Sequence, residues 1–228
     1  MHMNQVHIEN RMWCQKEKGF TLLEILIALA ISSVVMLAIY NIYMNQIHAA
    51  NAQDRIVAMR QNWRAGQFVV GRELMKAGYS SKITNPNDPG FTVATRTAVT
   101  FTYVDDATEE LVSVAFTHAG NNIVRTITPT GGVATATPVA EDIEVLEFIY
   151  QLKDGTTTWA PANLDDIRAV RVTTLARSAM PVPDYPNADA YALPFPDGET
   201  ENNRTFSADS LYRQLVTGFF YCRNMAGK

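Results

Sequence analysis

The spacing of apolar residues changes abruptly along this chain. From Ile25 to Gln53 there is no Asp, Glu, Lys or Arg, and Ile25 to Tyr43 is almost wholly apolar. An uncharged run of about 20 residues or more is long enough to cross a bilayer as a helix. Beyond it the apolar residues narrow to one stripe. Ile56, Met59, Trp63, Gly66, Val70, Leu74 and Ala77 recur at steps of three and four, while Asp54, Arg55, Arg60, Arg64, Arg72 and Lys76 lie mainly off that face. No proline precedes Pro86, and Lys76 followed by Gly78 reads as a helix stop. The spacing therefore predicts one helix from about Thr21 to Ala77, roughly 85 Å long. A first half that is apolar all round calls for lipid or fellow subunits. A second half that is apolar on one stripe calls for a domain, with Trp63 packed against a sheet.

Past Gly78 the period becomes two. Ala98–Val104, Leu111–Thr117, Ile123–Thr128, Ile143–Leu152, Ile167–Ala176 and Leu211–Cys222 are rich in Val, Ile, Thr, Phe and Tyr and are expected to be strands. Turn signals separate them at Asp105-Asp106, Gly120-Asn121-Asn122, Thr130-Gly131-Gly132 and Asp154-Gly155. Residues 179–206 form a Pro-rich stretch with Tyr185, Tyr191 and Phe195, expected as a long loop that serves either as a subunit contact or as a solvent-exposed excursion. The expected fold class is α+β: a long N-terminal helix, its first half transmembrane, packed by its second half on an antiparallel β-sheet domain. The expected division is 1–19 as a leader, 20–79 as the helix with about 20–43 in the membrane, and 80–228 as the β-rich domain.

Charge sets the orientation. Arg11, Lys16 and Lys18 against Glu9 and Glu17 give residues 1–19 a net +1, and they precede the apolar run. The positive-inside rule then places them in the cytoplasm and the C-terminal domain across the membrane. This is not the order of a secretory signal, whose cleavage site of small residues follows its apolar stretch. Taking that +1 from the formal −4 of the 228 residues leaves −5, with no basic footprint for nucleic acid.

Glu24 is the unusual residue. A carboxylate within an apolar run costs on the order of 2.5–3.5 kcal/mol at mid-membrane, less near an end. A cut between Gly19 and Phe20 would create a cationic α-amine about 6 Å along the helix axis from it. Opposite charges in a low-dielectric layer attract strongly and relieve each other's desolvation. The amine could belong to the same subunit or to a neighbour, and pairing with a neighbour would fix an axial stagger. The same cut removes Cys14 and leaves Cys222 alone, so no disulfide forms inside the mature chain. Cys222 reads as a small buried apolar residue in a strand.

Lys18-Gly19-Phe20-Thr21-Leu22-Leu23-Glu24 resembles the prepilin processing site shared by type IV pilins and type II secretion pseudopilins. The resemblance implies that a membrane peptidase cuts after Gly19 and methylates the amine of Phe20, and that Glu24 contacts the amine of an adjacent subunit. Met12 is an alternative start that would shorten the leader to eight residues. Gln61-Asn62-Trp63-Arg64, Phe68, Arg72-Glu73-Leu74-Met75-Lys76-Ala77-Gly78-Tyr79 and the run from Ile167-Arg168-Ala169-Val170-Arg171 to Ser178 look like PilW-type minor pilins; Tyr212-Arg213-Gln214 fits more loosely. The mature chain lacks the disulfide that often closes a C-terminal loop in major pilins. It also lacks the helix breaker many of them place in the apolar run, Asn41 being the nearest candidate.

The resemblance thus implies a minor pilin that initiates or caps a type IV pilus, held in the bacterial inner membrane with its domain in the periplasm and then built into the pilus. Its implied partners are the prepilin peptidase/methyltransferase, other minor and major pilins, the inner-membrane assembly platform and membrane lipid. A J-type minor pseudopilin of type II secretion would share these features. A membrane-anchored periplasmic binding domain or enzyme would retain residues 1–19 and be indifferent to Glu24. A DNA-uptake pilin sits poorly with a charge of −5. No enzyme, cofactor or metal is expected: the globular part has one histidine, His118, and no phosphate loop or nucleophile elbow. The acidic pairs Asp105-Asp106, Glu109-Glu110 and Asp165-Asp166 read as turn formers, and Asn203-Arg204-Thr205 fits the glycosylation triplet.

Overall fold

A computed structural model describes residues 19–80, 88–182, 185, 190–206 and 209–226. Residues 1–18 of the expected leader, Cys14 among them, lie outside the described residues, as do Pro183 and Pro186 of the Pro-rich stretch. The chain divides into two compact units, one up to Ile47 and the other from His48.

The first unit is the apolar part of helix α1, which spans Leu22–Leu74. Every residue from Gly19 to Tyr43 is exposed. Sixteen of them, from Phe20 to Tyr43, are large hydrophobic side chains. Burying one such side chain contributes about 1.5–3 kcal/mol, so tens of kcal/mol rest on what surrounds this helix.

The second unit begins with the rest of α1. Met59, Gly66, Val70 and Leu74 of the expected stripe are buried, and Trp63 packs partly buried on the core. The helix ends three residues short of Ala77. Lys76 N–H bonds to Glu73 O at 2.9 Å and Ala77 N–H to Leu74 O at 3.1 Å, so the last turn tightens to three-residue bonds. Gly78 then takes φ +77°, open to glycine, and its N–H passes to Thr102 O at 3.1 Å.

Among the described residues eleven strands follow, in two larger antiparallel sheets and a ribbon. β1 (Phe91–Ala94), β2 (Ala98–Val104), β3 (Leu111–Ala119), β4 (Asn122–Pro129) and β5 (Thr135–Ala140) form a five-stranded meander in chain order. β6 (Ile143–Leu152), β7 (Thr157–Thr158), β8 (Ile167–Arg177) and β11 (Arg213–Tyr221) form a four-stranded sheet in the order β11-β8-β6-β7. β9 (Ala190–Ala192) pairs with β10 (Asn203–Thr205). The six expected strands are β2, β3, β4, β6, β8 and β11, with ends within two residues of the expectation. The five unexpected ones are short or, like Thr-Ala-Thr-Pro-Val-Ala of β5, weak in strand formers.

The helix stripe and both larger sheets share one core, in which Phe101, Phe116, Phe148 and Tyr150 are fully buried. Two glycines let the helix approach closely. A Cβ on Gly66 would stand 2.6 Å from Ala140 Cβ of β5, and one on Gly71 would run into the Phe220 ring of β11.

The Pro-rich stretch is not the plain solvent-exposed excursion offered as one reading of it. It carries β9 and β10, and it buries Val182 and Leu193. Leu193 forms a second apolar cluster with Val145 and Leu175 on the far face of the four-stranded sheet. One charged cluster holds this cover down, and a second ties β11 to β6 and to Asp209 just beyond it. Glu147, 1% exposed, accepts from Arg204 at 2.6 Å, Asn202 at 2.7 Å and Arg96 at 3.0 Å. Arg213 donates to Glu144 at 2.5 and 2.9 Å and to Asp209 at 2.7 and 2.8 Å.

Candidate functional site

The expected site is the head of α1. Gly19 and Phe20 lie before the helix, outside regular structure and exposed. Nothing lies within 4 Å of a Cβ placed on Gly19, and Phe20 is 86% exposed. The peptide bond between them is thus non-helical and open, as an extended protease substrate must be.

The helix begins one residue after Thr21, and Glu24 stands at its third position. Thr21 N–H donates to Glu24 Oε2 at 2.8 Å, Thr21 Oγ1 to the same oxygen at 3.0 Å, and Glu24 N–H to Thr21 Oγ1 at 3.2 Å. This is a reciprocal capping box: the two side chains satisfy backbone donors that the first turn leaves open. Sequence reasoning missed Thr21, although Thr-x-x-Glu at the head of an apolar run is itself the signal. Capping its own helix thus gives Glu24 a task within the single chain. Its carboxylate also sits at the helix N-terminus, where negative charge is favoured.

The structure thus gathers Gly19, Phe20, Thr21 and Glu24 into one exposed turn. Both hydrogen bonds to the carboxylate fall on Oε2. Among the described residues Oε1 has no partner, so it is open to a donor from another molecule.

The prokaryotic N-terminal methylation motif matches residues 14–40, which contain all four residues. No curated protein matches the chain. Among solved structures, a type IV-like pilin from Thermus thermophilus superposes with a TM-score of 0.53 at 16% identity, covering 76% of this chain and 97% of its own. The fold is pilin-like. At that identity the likeness concerns architecture: a long apolar N-terminal helix followed by an antiparallel sheet domain.

The pilin-like domain accounts structurally for the other residues noted in the sequence. Cys222 is buried directly after β11 rather than within it, and burial pushes its thiol up to about 12. His118 lies on β3 with Nε2 2.7 Å from Ile143 O. Asp105 Oδ1 accepts from Ala107 N–H at 3.0 Å and Thr108 N–H at 3.2 Å, as a turn former does, and Asp166 pairs with Lys153 at 2.6 Å.

Proposed function

We propose that this chain is a minor pilin of a type IV pilus, cut after Gly19, methylated on the amine of Phe20 and assembled through α1. The observation that carries the reading is the exposed Gly19-Phe20 bond at the head of a fully exposed apolar helix with one carboxylate in its first turn. The matched methylation motif and the pilin-like fold support it. In this reading the membrane holds α1 until neighbouring helices replace lipid around it. The cut frees a cationic amine that the open oxygen of Glu24 on an adjacent subunit accepts. That pairing discharges the cost of both charges in a low-dielectric layer and sets the stagger between helices. The capping box keeps the carboxylate in place meanwhile.

The role as an initiating or capping subunit, with the peptidase/methyltransferase, other pilins and the assembly platform as partners, follows from the PilW-type resemblance of Gln61–Tyr79 and Ile167–Ser178. Mass analysis of the mature N-terminus from membranes tests the processing: a chain beginning at methylated Phe20 is expected, and one retaining residues 1–19 overturns it. Loss of surface pili on gene deletion tests the role. Loss of protein secretion with normal piliation would instead assign the chain to type II secretion.

A further inference from the structure

Most sheet edges in the second unit are blunted. β1 has four residues and a register shift, and β7 has two. β5 carries Pro138, has a register shift in its ladder and seats Ala140 against Gly66. Edge strands ordinarily carry such protection, because unpaired backbone groups recruit other strands.

β11 has none of it. Its nine residues pair with β8 without a register break. From Gln214 to Cys222 it contains no charge and no proline. The bonds from Ser178 N–H to Tyr212 O and from Cys222 N–H to Arg168 O fix which residues face β8. In an antiparallel ladder these alternate. The N–H and C=O groups of Leu215, Thr217, Phe219 and Tyr221 therefore point to the open edge, and among the described residues they have no partner.

The chemistry around this edge is one-sided. Phe219 and Tyr221, 39% and 63% exposed, stack edge-on at 5.0 Å. Beside them a cavity of about 560 Å³ is lined by Met75, Arg168 and Arg223 and by no Asp or Glu. Arg171 lies directly across from Phe219. Arg96 of the β1–β2 turn and Arg125, Arg177, Arg204 and Arg213 of the strands all have carboxylate partners. Among the described residues Arg171 and Arg223 have none.

We propose that the open edge of β11 is a docking site for an extended acidic segment of a neighbouring pilin-like subunit, which adds as the next strand. Main-chain bonds to Leu215–Tyr221 would supply affinity, and the aromatic pair with Arg171 and Arg223 would select an acidic partner. The proposal rests on the minor-pilin reading, since it takes its occupant from a co-assembled subunit.

The test uses the full chain in its own cells, with a benzoyl-phenylalanine crosslinker at Phe219 and, as control, at Thr135 on β5. The expected result is an adduct at Phe219, at least tenfold above the control, mapped to an acidic segment of a different pilin-like subunit. Thr217→Pro removes one outward N–H at a position an edge tolerates, and it is expected to lower the adduct at least tenfold. Arg171→Glu, at a half-buried position, combined with Arg223→Glu, at an exposed one, is expected to do the same should the proline variant misfold. No adduct, an adduct only with lipid or a second copy of this chain, or one indifferent to these changes in a folded domain overturns the proposal. The N-terminal mass from the same sample separates the two readings. A start at Phe20 without the adduct sinks the docking alone, and a retained leader sinks both.

Discussion

At the residue scale, Glu24 has two tasks that substitutions can separate. Glutamine keeps an acceptor for the Thr21 N–H and so keeps the capping box, but it removes the charge. Thr21→Val removes the hydroxyl and keeps the charge, at about 0.5–2 kcal/mol of helix stability. With amine pairing as the basis of assembly, Glu24→Gln is expected to abolish incorporation into pili while Thr21→Val reduces it mildly. Counting the subunit in sheared pilus fractions distinguishes this from a capping role, which predicts the reverse order. Cys222 gives a second test. Its folded thiol is pushed from 9.0 to about 12 by burial, so the folded state holds the proton more tightly than the unfolded chain. Stability from this group is full below the unfolded value and is lost as pH rises toward the folded one. Wild type is expected to lose denaturation midpoint between pH 8 and 10 faster than Cys222→Ala does. The native thiol is also expected to resist alkylation at pH 8 until the domain unfolds.

At the scale of elements, the fit of α1 against the sheets depends on missing side chains. Gly71 meets the Phe220 ring where any Cβ would collide. Gly71→Ala is therefore expected to cost about 1–3 kcal/mol through overpacking, read as a lower melting temperature. Phe220→Leu in the same chain is expected to return part of it. The helix stripe and the six long strands were legible because each buries a face at its own period, 3.6 or 2. β1, β5, β7 and the β9–β10 ribbon were not. They are too short for a period to register, or too rich in Ala, Thr and Pro, and are strands only because a neighbour supplies the ladder. Trp63 and the helix stop at Gly78 followed from spacing alone. The capping box was equally legible in Thr21 and Glu24, since Thr-x-x-Glu ahead of an apolar run is a local signal.

At the scale of the whole molecule, the Pro-rich stretch belongs to the fold, and one buried carboxylate holds much of it. Removing Glu147 leaves Arg96 and Arg204 without their counter-charge; these side chains are 38% and 43% exposed, so water relieves part of the loss. Glu147→Leu is expected to destabilise the domain by on the order of 2 kcal/mol. The first protease cut is expected to fall between residues 179 and 206, since the cover loses its ties to β6 and the β1–β2 turn. Wild type cut equally fast there would show that the apolar cluster at Leu193 suffices without the charges.

The apolar run, the amphipathic stripe, the strong strands and the motif around Gly19 were determined by sequence alone, because each is a local pattern whose physical meaning needs only its neighbours along the chain. Three things were decided by tertiary structure: the splitting of the strands into two sheets, the seating of the Pro-rich stretch on one of them, and the open, uncharged edge of β11. All three depend on which distant segments meet. Pairing register, the saturation of Arg213 by Glu144 and Asp209, and the absence, among the described residues, of a carboxylate for Arg171 are properties of neighbours in space, which no spacing along the chain encodes.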